Sequence, residues 1–394
     1  MTLHTAKGFR LAGTHCGLKR DDKKDIALLV SDQPCTPVGV FTTNRVKAAP
    51  VQYDQEMLAP DDAQVRAVLA NTGSANACTG AQGLENARQT ASQVAARIGC
   101  QPNEVLTLST GVIGTHLPMD VMAQGIDALA EMIQPDGWAD AAEAIMTTDT
   151  RPKLASFQHP SGFTITGMAK GAGMIAPNMA TMLAVIVTDA EMPRWLLSRA
   201  LNEAVGVSFN RIVVDGDMST NDSVLLLANG AAGVSTTMRE FVPALTKVCT
   251  ELAQAIVRDG EGATRFVSVH VTGAVNEEVA TQVARQVATS ALVKTAFYGA
   301  DPNWGRILAA AGYAGVELDP GRLALWLLDA NGDIALQLVE CSRPLDYDEA
   351  AAIALMQTPE WGIRLDLGQG AAYSLVWTCD FSHEYVTING HYRT

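Results

Sequence analysis

Residues 167–182 read Gly-Met-Ala-Lys-Gly-Ala-Gly-Met-Ile-Ala-Pro-Asn-Met-Ala-Thr-Met. A strand-like run, Phe163–Thr166, leads into this stretch, and a second, Met182–Val187, leads out of it. Thr181 lies where the second strand begins, directly after the small residue Ala180. If the chain were cut at the Thr181 amide, the hydroxyl would become a nucleophile whose own free amine serves as its base. The stretch therefore predicts a turn between two strands, with Thr181 as a candidate N-terminal nucleophile.

Two other interpretations of this stretch have to be weighed. Residues 171–176 spell Gly-x-Gly-x-x-Ala after a strand, which matches the dinucleotide-binding fingerprint. That fingerprint needs a full helix, but Pro177 interrupts the motif and a strand resumes at Met182, so too few residues remain for a crossover unit. The plainest interpretation makes Thr181 an ordinary cap or strand residue.

Composition narrows the class of protein. The chain has 394 residues, a formal net charge of −14 and no run of Lys or Arg, which disfavours nucleic acid and anionic membranes as partners. Its seven cysteines are scattered without a Cys-x-x-Cys pair, so neither a disulfide framework nor a metal site is expected. No apolar run reaches the roughly 18 residues of a membrane span, and the N-terminus lacks a signal core. We expect a soluble, cytoplasmic protein.

Helical and strand patterns alternate along the chain and predict an α/β class, in the form of a layered α+β sandwich. Apolar residues at helical spacing predict helices near residues 84–98, 121–133, 193–201, 241–256 and 276–287. Gly99 is the expected C-cap of the first helix, and Asn276 the expected N-cap of the last. We expect a larger domain over residues 1–285 and a smaller, hairpin-rich α+β domain over residues 286–394.

Two hairpins are predicted in the last quarter of the chain. Leu323–Asp329 and Asp333–Glu340 flank Asn331-Gly332, a strong tight-turn signal. Ile363–Leu367 and Ala372–Cys379 flank a Gly-Gln-Gly turn in the same way.

Two loops and the tail carry candidate polar groups. Ser109–Gly114 follows a strand-like run, and its Thr110-Gly111 pair offers a hydroxyl and an accessible N–H, the parts of an oxyanion hole. Asp259–Gly262 places Glu261 between two glycines, although Gly260 is equally explained as a helix C-cap. Tyr385–Asn389 reads as a strand near the C-terminus, which favours a docked tail or a simple edge strand.

The whole pattern resembles the ornithine acetyltransferase family of arginine biosynthesis, also called bifunctional glutamate N-acetyltransferase. The likeness spans nearly the entire chain and rests on many long matches in the same order. The matching stretches are Gly39–Asn44, Asn71–Gly80, Ser109–Gly114, Met146–Thr150, Lys170–Leu183, Asp215–Asp222, Asp259–Gly262 and Gly299–Arg306.

The resemblance implies an acetyltransferase that moves the acetyl group of N-acetylornithine to glutamate through an acetyl-threonine, in a ping-pong mechanism. It implies self-cleavage between Ala180 and Thr181, with Thr181 as the nucleophile and with Thr110 and Gly111 as the oxyanion hole. The family's substrate contacts match Thr147, Lys170, Thr181, Glu261, Asn389 and Thr394. The resemblance implies no metal and no prosthetic group, and it implies a heterotetramer made of two copies of each piece.

Several alternatives stay open at this point. The sequence leaves undecided whether acetyl-CoA is also a donor, and whether Thr147 or its neighbour Thr148 contacts the substrate. The tail reads Gly390-His391 where the family pattern leads us to expect Ala-Asp, which alters the charge beside Asn389. The alternative functions are a self-processed aminopeptidase-like hydrolase with an N-terminal nucleophile and a non-catalytic binding protein.

Overall fold

The computed structural model of the protein describes residues 3–176 and 182–391. Its strands are β1 Phe9–Thr14, β2 Ile26–Phe41, β3 Val65–Asn71, β4 Val105–Ser109, β5 Lys153–Gln158, β6 Thr164–Lys170, β7 Leu183–Thr188, β8 Ile212–Val213, β9 Ser223–Ala228, β10 Phe266–Ala274, β11 Ala324–Leu328, β12 Ile334–Glu340, β13 Arg343–Pro344, β14 Glu360–Asp366 and β15 Ala372–Cys379. Its helices are α1 Ala49–Met57, α2 Gly80–Ile98, α3 Met119–Met132, α4 Trp138–Ala144, α5 Arg194–Gly206, α6 Met238–Arg258, α7 Glu277–Thr289, α8 Ala291–Tyr298, α9 Trp304–Gly312, α10 Glu349–Met356 and α11 His383–Gly390.

The chain divides into two compact units, and the predicted α/β class is confirmed. The first unit contains residues 1–210 and 217–256, and the second contains residues 211–216 and 257–394. The second unit therefore begins before the predicted boundary at 285/286. The reason is that β10 pairs with β14 on one side and with β15 on the other, so it belongs to the second sheet.

The sheet of the first unit runs in the order β4-β3-β2-β9-β7-β6-β5, and β1 also pairs with β2. The long strand β2 joins two halves, because its first part pairs with β3 and its last part with β9. Buried residues from both halves pack into one core cluster that includes Leu29, Leu108 and Val185. A second cluster packs the other face of β2 and β3 against α2 and α3. This layering places helices outside the strands, as the alternating sequence pattern predicts.

Strands β6 and β7 form the hairpin that the opening stretch of sequence predicts. They are antiparallel, and Lys170 at the end of β6 lies opposite Leu183 at the start of β7. A dinucleotide-binding unit needs a crossover between parallel strands. The antiparallel register therefore removes that interpretation of residues 171–176.

The second unit holds a sheet in the order β13-β12-β11-β14-β10-β15-β8. The first predicted hairpin is confirmed, since β11 and β12 are antiparallel and Leu328 lies opposite Ile334. The second predicted hairpin is wrong. Strands β14 and β15 follow one another in sequence, but β10 lies between them and pairs with both. A Gly-Gln-Gly turn signals a change of direction, and it carries no information about a distant strand inserted in the gap.

The tail is a helix, which corrects the predicted strand at Tyr385–Asn389. Ser382 caps α11 by accepting the Glu384 N–H, and the acidic side chain of Glu384 lies in the first turn.

Two predicted helix caps are confirmed: Asn276 accepts the Val279 N–H, and Gly99 ends α2 in the left-handed region with φ 73°. In the described part of the chain, no helix is both long enough and apolar enough to cross a membrane.

A substitution of Gly13 on β1 tests how closely α4 packs on β1 in the first unit. A Cβ atom at Gly13 would lie 2.1 Å from the Asp140 carbonyl oxygen of α4, and that backbone atom cannot swing away. We expect Gly13→Ala to lower the melting temperature, with a loss of about 1–3 kcal/mol or more in unfolding free energy. Gly206→Ala is the control, because a Cβ atom there meets nothing within 4 Å. Equal melting temperatures for the two variants would contradict the close packing of α4 on β1.

Candidate active site

The parallel strands β3 and β4 end side by side, and their ends carry the first part of the candidate site. Asn71 and Ser109 are paired in register, and the Ser109 hydroxyl donates a hydrogen bond to Asn71 Oδ1 at 2.6 Å. The Thr110 N–H donates to the Asn71 carbonyl at 3.0 Å. Since the carboxyl ends of parallel strands lie at one edge, the loops that follow them are placed to share a polar site.

Gly111 is required by the shape of this edge. Its φ is +129°, and a Cβ atom there would lie 2.5 Å from the Gly73 carbonyl carbon. Only glycine fits this conformation and this close approach. Within the described part of the chain, the Gly111 N–H has no hydrogen-bond acceptor. A buried hydroxyl at Thr110 followed by an unoccupied N–H meets the chemical need of an oxyanion hole.

Lys170 joins this edge from β6. Its side chain is buried, and Nζ donates to Thr110 Oγ1 at 3.4 Å. A hydroxyl that accepts a hydrogen bond from an ammonium group keeps its own proton for another acceptor. The contact therefore leaves Thr110 able to donate, and it brings a positive charge to the place where an oxyanion would form.

Asp149 was not predicted as a site residue, although it contacts the predicted residue Thr147 and feels the charge of the predicted residue Lys170. Its Oδ1 accepts the Gly171 N–H at 2.7 Å and pairs with Lys153 Nζ at 2.6 Å, while Oδ2 accepts the Thr147 N–H at 3.0 Å. Burial favours the neutral acid, but the charges of Lys170 and Lys153 outweigh it and lower the pKa of Asp149 to about 2. The ionised carboxylate thus ties the Thr147 segment to the end of β6.

Asn221 and Asp222 were also not singled out, although they lie within a stretch that carries the resemblance. The Asn221 amide donates to the carbonyls of Ala75 at 2.7 Å and Ser109 at 2.8 Å. The Met182 N–H donates to Asp222 Oδ1 at 3.0 Å. Burial raises the pKa of Asp222 well above its ordinary value, against the lowering effects of the Met182 N–H and the Lys170 charge. No periodic pattern in the sequence marks such loop residues.

In the second unit, Glu261 and Asn389 are in direct contact. Asn389 Nδ2 donates to Glu261 Oε2 at 2.6 Å, and Glu261 is buried. The Ser382 hydroxyl donates to the Gly262 carbonyl at 2.6 Å, which holds the start of α11 on the same loop. The tail therefore docks on the Glu261 loop as a helix, held by Asn389 near its end and by Ser382 at its start.

Three predicted site residues, Ala180, Thr181 and Thr394, lie outside the described residues. The described chain resumes at Met182, directly after Thr181 in sequence. Within residues 3–176 and 182–391, no group of three His, Cys, Asp or Glu side chains is arranged to hold a metal ion.

Comparison with known proteins identifies the family of the chain. The family model described as ArgJ matches residues 10–394. The chain belongs to the ArgJ family. An ArgJ relative from Symbiobacterium thermophilum, named arginine biosynthesis bifunctional protein ArgJ, is 48% identical and covers 98% of this chain and 97% of its own length. A relative of the same name from Thermotoga neapolitana is 45% identical, with 98% of this chain and 99% of its own length covered. The resemblance read from the sequence is thereby confirmed.

Two solved structures match part of the chain. A crystal structure of ArgJ from Bacillus halodurans is 39% identical and covers 51% of this chain and 95% of its own, with a TM-score of 0.48. A structure described as ornithine acetyltransferase in complex with ornithine, from Mycobacterium tuberculosis, is 40% identical and covers 44% of this chain and 92% of its own, with a TM-score of 0.42.

The buried charges of this ArgJ chain predict a pH dependence. Asp149→Asn leaves Lys153 and Lys170 without their shared anion, and breaking a buried ion pair costs about 3–5 kcal/mol at neutral pH. Because the pKa of Asp149 is lowered from 3.8 to about 2, the stability it contributes is present above the ordinary pKa and is lost as the pH falls towards 2. We expect the difference in melting temperature between wild type and Asp149→Asn to shrink across that range.

Asp32→Asn is the control for this measurement. Asp32 pairs with Arg10 at 2.8 Å, but both side chains are exposed, and such surface pairs are worth at most about 1 kcal/mol. A difference for Asp149→Asn that stays constant between pH 4 and pH 2 would contradict the lowered pKa.

Proposed function

We propose that this protein is an acetyltransferase of arginine biosynthesis that moves the acetyl group of N-acetylornithine to glutamate. Membership of the ArgJ family and the names of the two relatives support the pathway. The observation that supports the chemistry is the arrangement of the Thr110 hydroxyl, the Gly111 N–H and Lys170, which lies opposite Leu183 at the start of β7. We propose that the protein is cytoplasmic.

The proposed cycle begins with self-cleavage. The Thr181 hydroxyl attacks the Ala180 carbonyl, the acyl group shifts from nitrogen to oxygen, and water hydrolyses the ester. This leaves pieces 1–180 and 181–394, which stay associated as a heterotetramer of two copies of each. Thr181 then carries a free amine next to its hydroxyl, so one residue supplies both nucleophile and base.

Acetyl transfer then follows in two halves. The Thr181 amine takes the hydroxyl proton as the oxygen attacks the acetyl carbonyl of N-acetylornithine, and Thr110 and Gly111 stabilise the oxyanion. The amide bond breaks, the proton passes to the leaving nitrogen, and ornithine departs from acetyl-Thr181. The glutamate amine attacks the ester in turn and leaves as N-acetylglutamate, which restores the Thr181 hydroxyl. No metal or prosthetic group enters these steps.

The remaining predicted residues take binding roles in this proposal. Lys170 pairs with a substrate carboxylate, and Glu261 pairs with a substrate amine. Asn389 holds Glu261 in place through their contact. Thr147, in preference to Thr148, contacts the substrate, because Asp149 anchors its N–H. Thr394 is a further substrate contact in this proposal.

Intact mass under denaturing conditions tests the nucleophile. We expect the wild type to consist of two pieces, and a single turnover with acetylornithine to add one acetyl mass to the 181–394 piece. Thr181→Ala should remain full-length and take up no acetyl group, whereas Thr181→Ser keeps a hydroxyl and should retain both events. An active preparation that contains only full-length chain would refute self-cleavage, and an acetyl group on the 1–180 piece would move the nucleophile elsewhere.

Parallel assays with two donors test the second activity to which the word bifunctional in the relatives' names points. In this proposal acetyl-CoA also acetylates Thr181, so we expect glutamate acetylation with either donor and the same acetylated piece by mass. Hydrolysis of both donors without transfer to glutamate would favour the aminopeptidase-like alternative. Transfer from acetylornithine alone would show that acetyl-CoA is not a donor, and the protein would then have one activity.

A further inference from the structure

The segment that precedes β9 contacts two parts of the candidate site. Asn221 Nδ2 donates to the Ser109 carbonyl, which is the carbonyl of the peptide bond to Thr110. The next residue, Asp222, accepts the Met182 N–H, which belongs to the peptide bond between residues 181 and 182. Two consecutive side chains therefore hold the backbone beside the oxyanion-hole loop and the backbone beside the predicted nucleophile.

The segment itself is firmly anchored. The Thr42 hydroxyl donates to the Ser219 carbonyl at 2.8 Å, and the Thr42 N–H donates to the Asp222 carbonyl at 2.9 Å. Asn221 and Asp222 are both buried, at 5% and 0% exposure. Anchored, buried side chains hold their hydrogen-bond partners within a narrow range of positions, as a site that depends on geometry requires.

Within the described residues, the carboxyl group of Asp222 is only partly satisfied by hydrogen bonds. Its second oxygen, Oδ2, is buried and has no hydrogen-bond partner within the described residues. A buried carboxyl group with an unsatisfied oxygen carries a desolvation cost. Other buried carboxyl groups carry the same cost, so the case for a role in the reaction rests on the position of Asp222, whose Oδ1 accepts the Met182 N–H.

Resting on the function proposed above, we infer that Asp222 is a positioning residue, which holds the peptide bond after residue 181 so that the nucleophile meets the oxyanion hole. Asn221 holds the Thr110 side of the same arrangement. The peptide group is planar, so a hydrogen bond to the Met182 N–H restrains the orientation of the whole 181–182 peptide unit. The acceptor oxygen is what the role needs, and an ionised carboxylate is not required.

Substitutions of Asp222 separate this role from a structural one. We expect Asp222→Ala to slow acetyl transfer to glutamate by on the order of 10²-fold in kcat, with the KM for acetylornithine little changed, because misplacement by about 1 Å has this effect. Self-cleavage should slow as well, so rates are normalised to the cleaved fraction found by intact mass. Asp222→Asn keeps an oxygen acceptor for the Met182 N–H and should restore kcat to within a few-fold of wild type.

Asp54 provides the matched control. It is a fully buried carboxyl group of the same unit, its Oδ1 accepts the Thr107 N–H at 2.8 Å, and its Oδ2 has no partner within the described residues. Asp54→Ala should lower the melting temperature comparably to Asp222→Ala and leave kcat unchanged. Equal losses of kcat in the two variants, or a wild-type kcat in Asp222→Ala, would overturn the inference.

Asp222→Glu covers the case in which the alanine variant fails to fold. It keeps the carboxyl group and moves its oxygens by one methylene, so a loss of kcat similar to that expected for alanine supports positioning, and an unchanged kcat overturns it. The wild type separates the two proposals. If wild-type protein transfers no acetyl group, the proposed function fails; if it does and the Asp222 variants match it, only this inference fails.

Discussion

The backbone hydrogen bonds between β6 and β7 are the constraint on which the candidate site depends. They fix Lys170 opposite Leu183, so the end of one strand and the start of the next lie at the same place in the sheet. Lys170 can reach Thr110 only because its strand ends there. The parallel register of β7 and β9, which pairs Leu183 with Ser223, sets Met182 beside Asp222. A shift of one residue would turn every side chain of β7 to the opposite face.

Charge is concentrated at this point at a considerable energetic cost. Lys170, Lys153 and Asp149 are all buried, and each would be expensive to bury alone. The two lysines together hold Asp149 ionised, and its carboxylate in turn accepts two backbone N–H groups. Such a cluster contributes less to stability than an apolar core of the same volume would. Its value lies in fixing the positions of Thr147 and Lys170.

Local patterns in the sequence predicted the helix caps correctly, and the two wrong predictions have different causes, one distant and one local. Asn276 and Gly99 act through their own backbone neighbours, and both caps are as predicted. The β14–β15 hairpin is wrong because β10, about ninety residues earlier in the chain, takes the place between the two strands. The tail is a helix because the Ser382 cap outweighs the strand propensity of Val386, Thr387 and Ile388. Asp149 and Asp222 could not be found from spacing, since their partners come from other loops.

The strand order of the first sheet has a consequence for a chain cut at 180/181. Strands β7 and β9 would belong to the second piece, yet they lie between β2 and β6 of the first piece. Two strands of the second piece would then be inserted between strands of the first piece, with backbone hydrogen bonds on both sides. Exchange of pieces between molecules would require the sheet to unfold. The two pieces cut from one chain would therefore stay together for as long as the sheet stays folded.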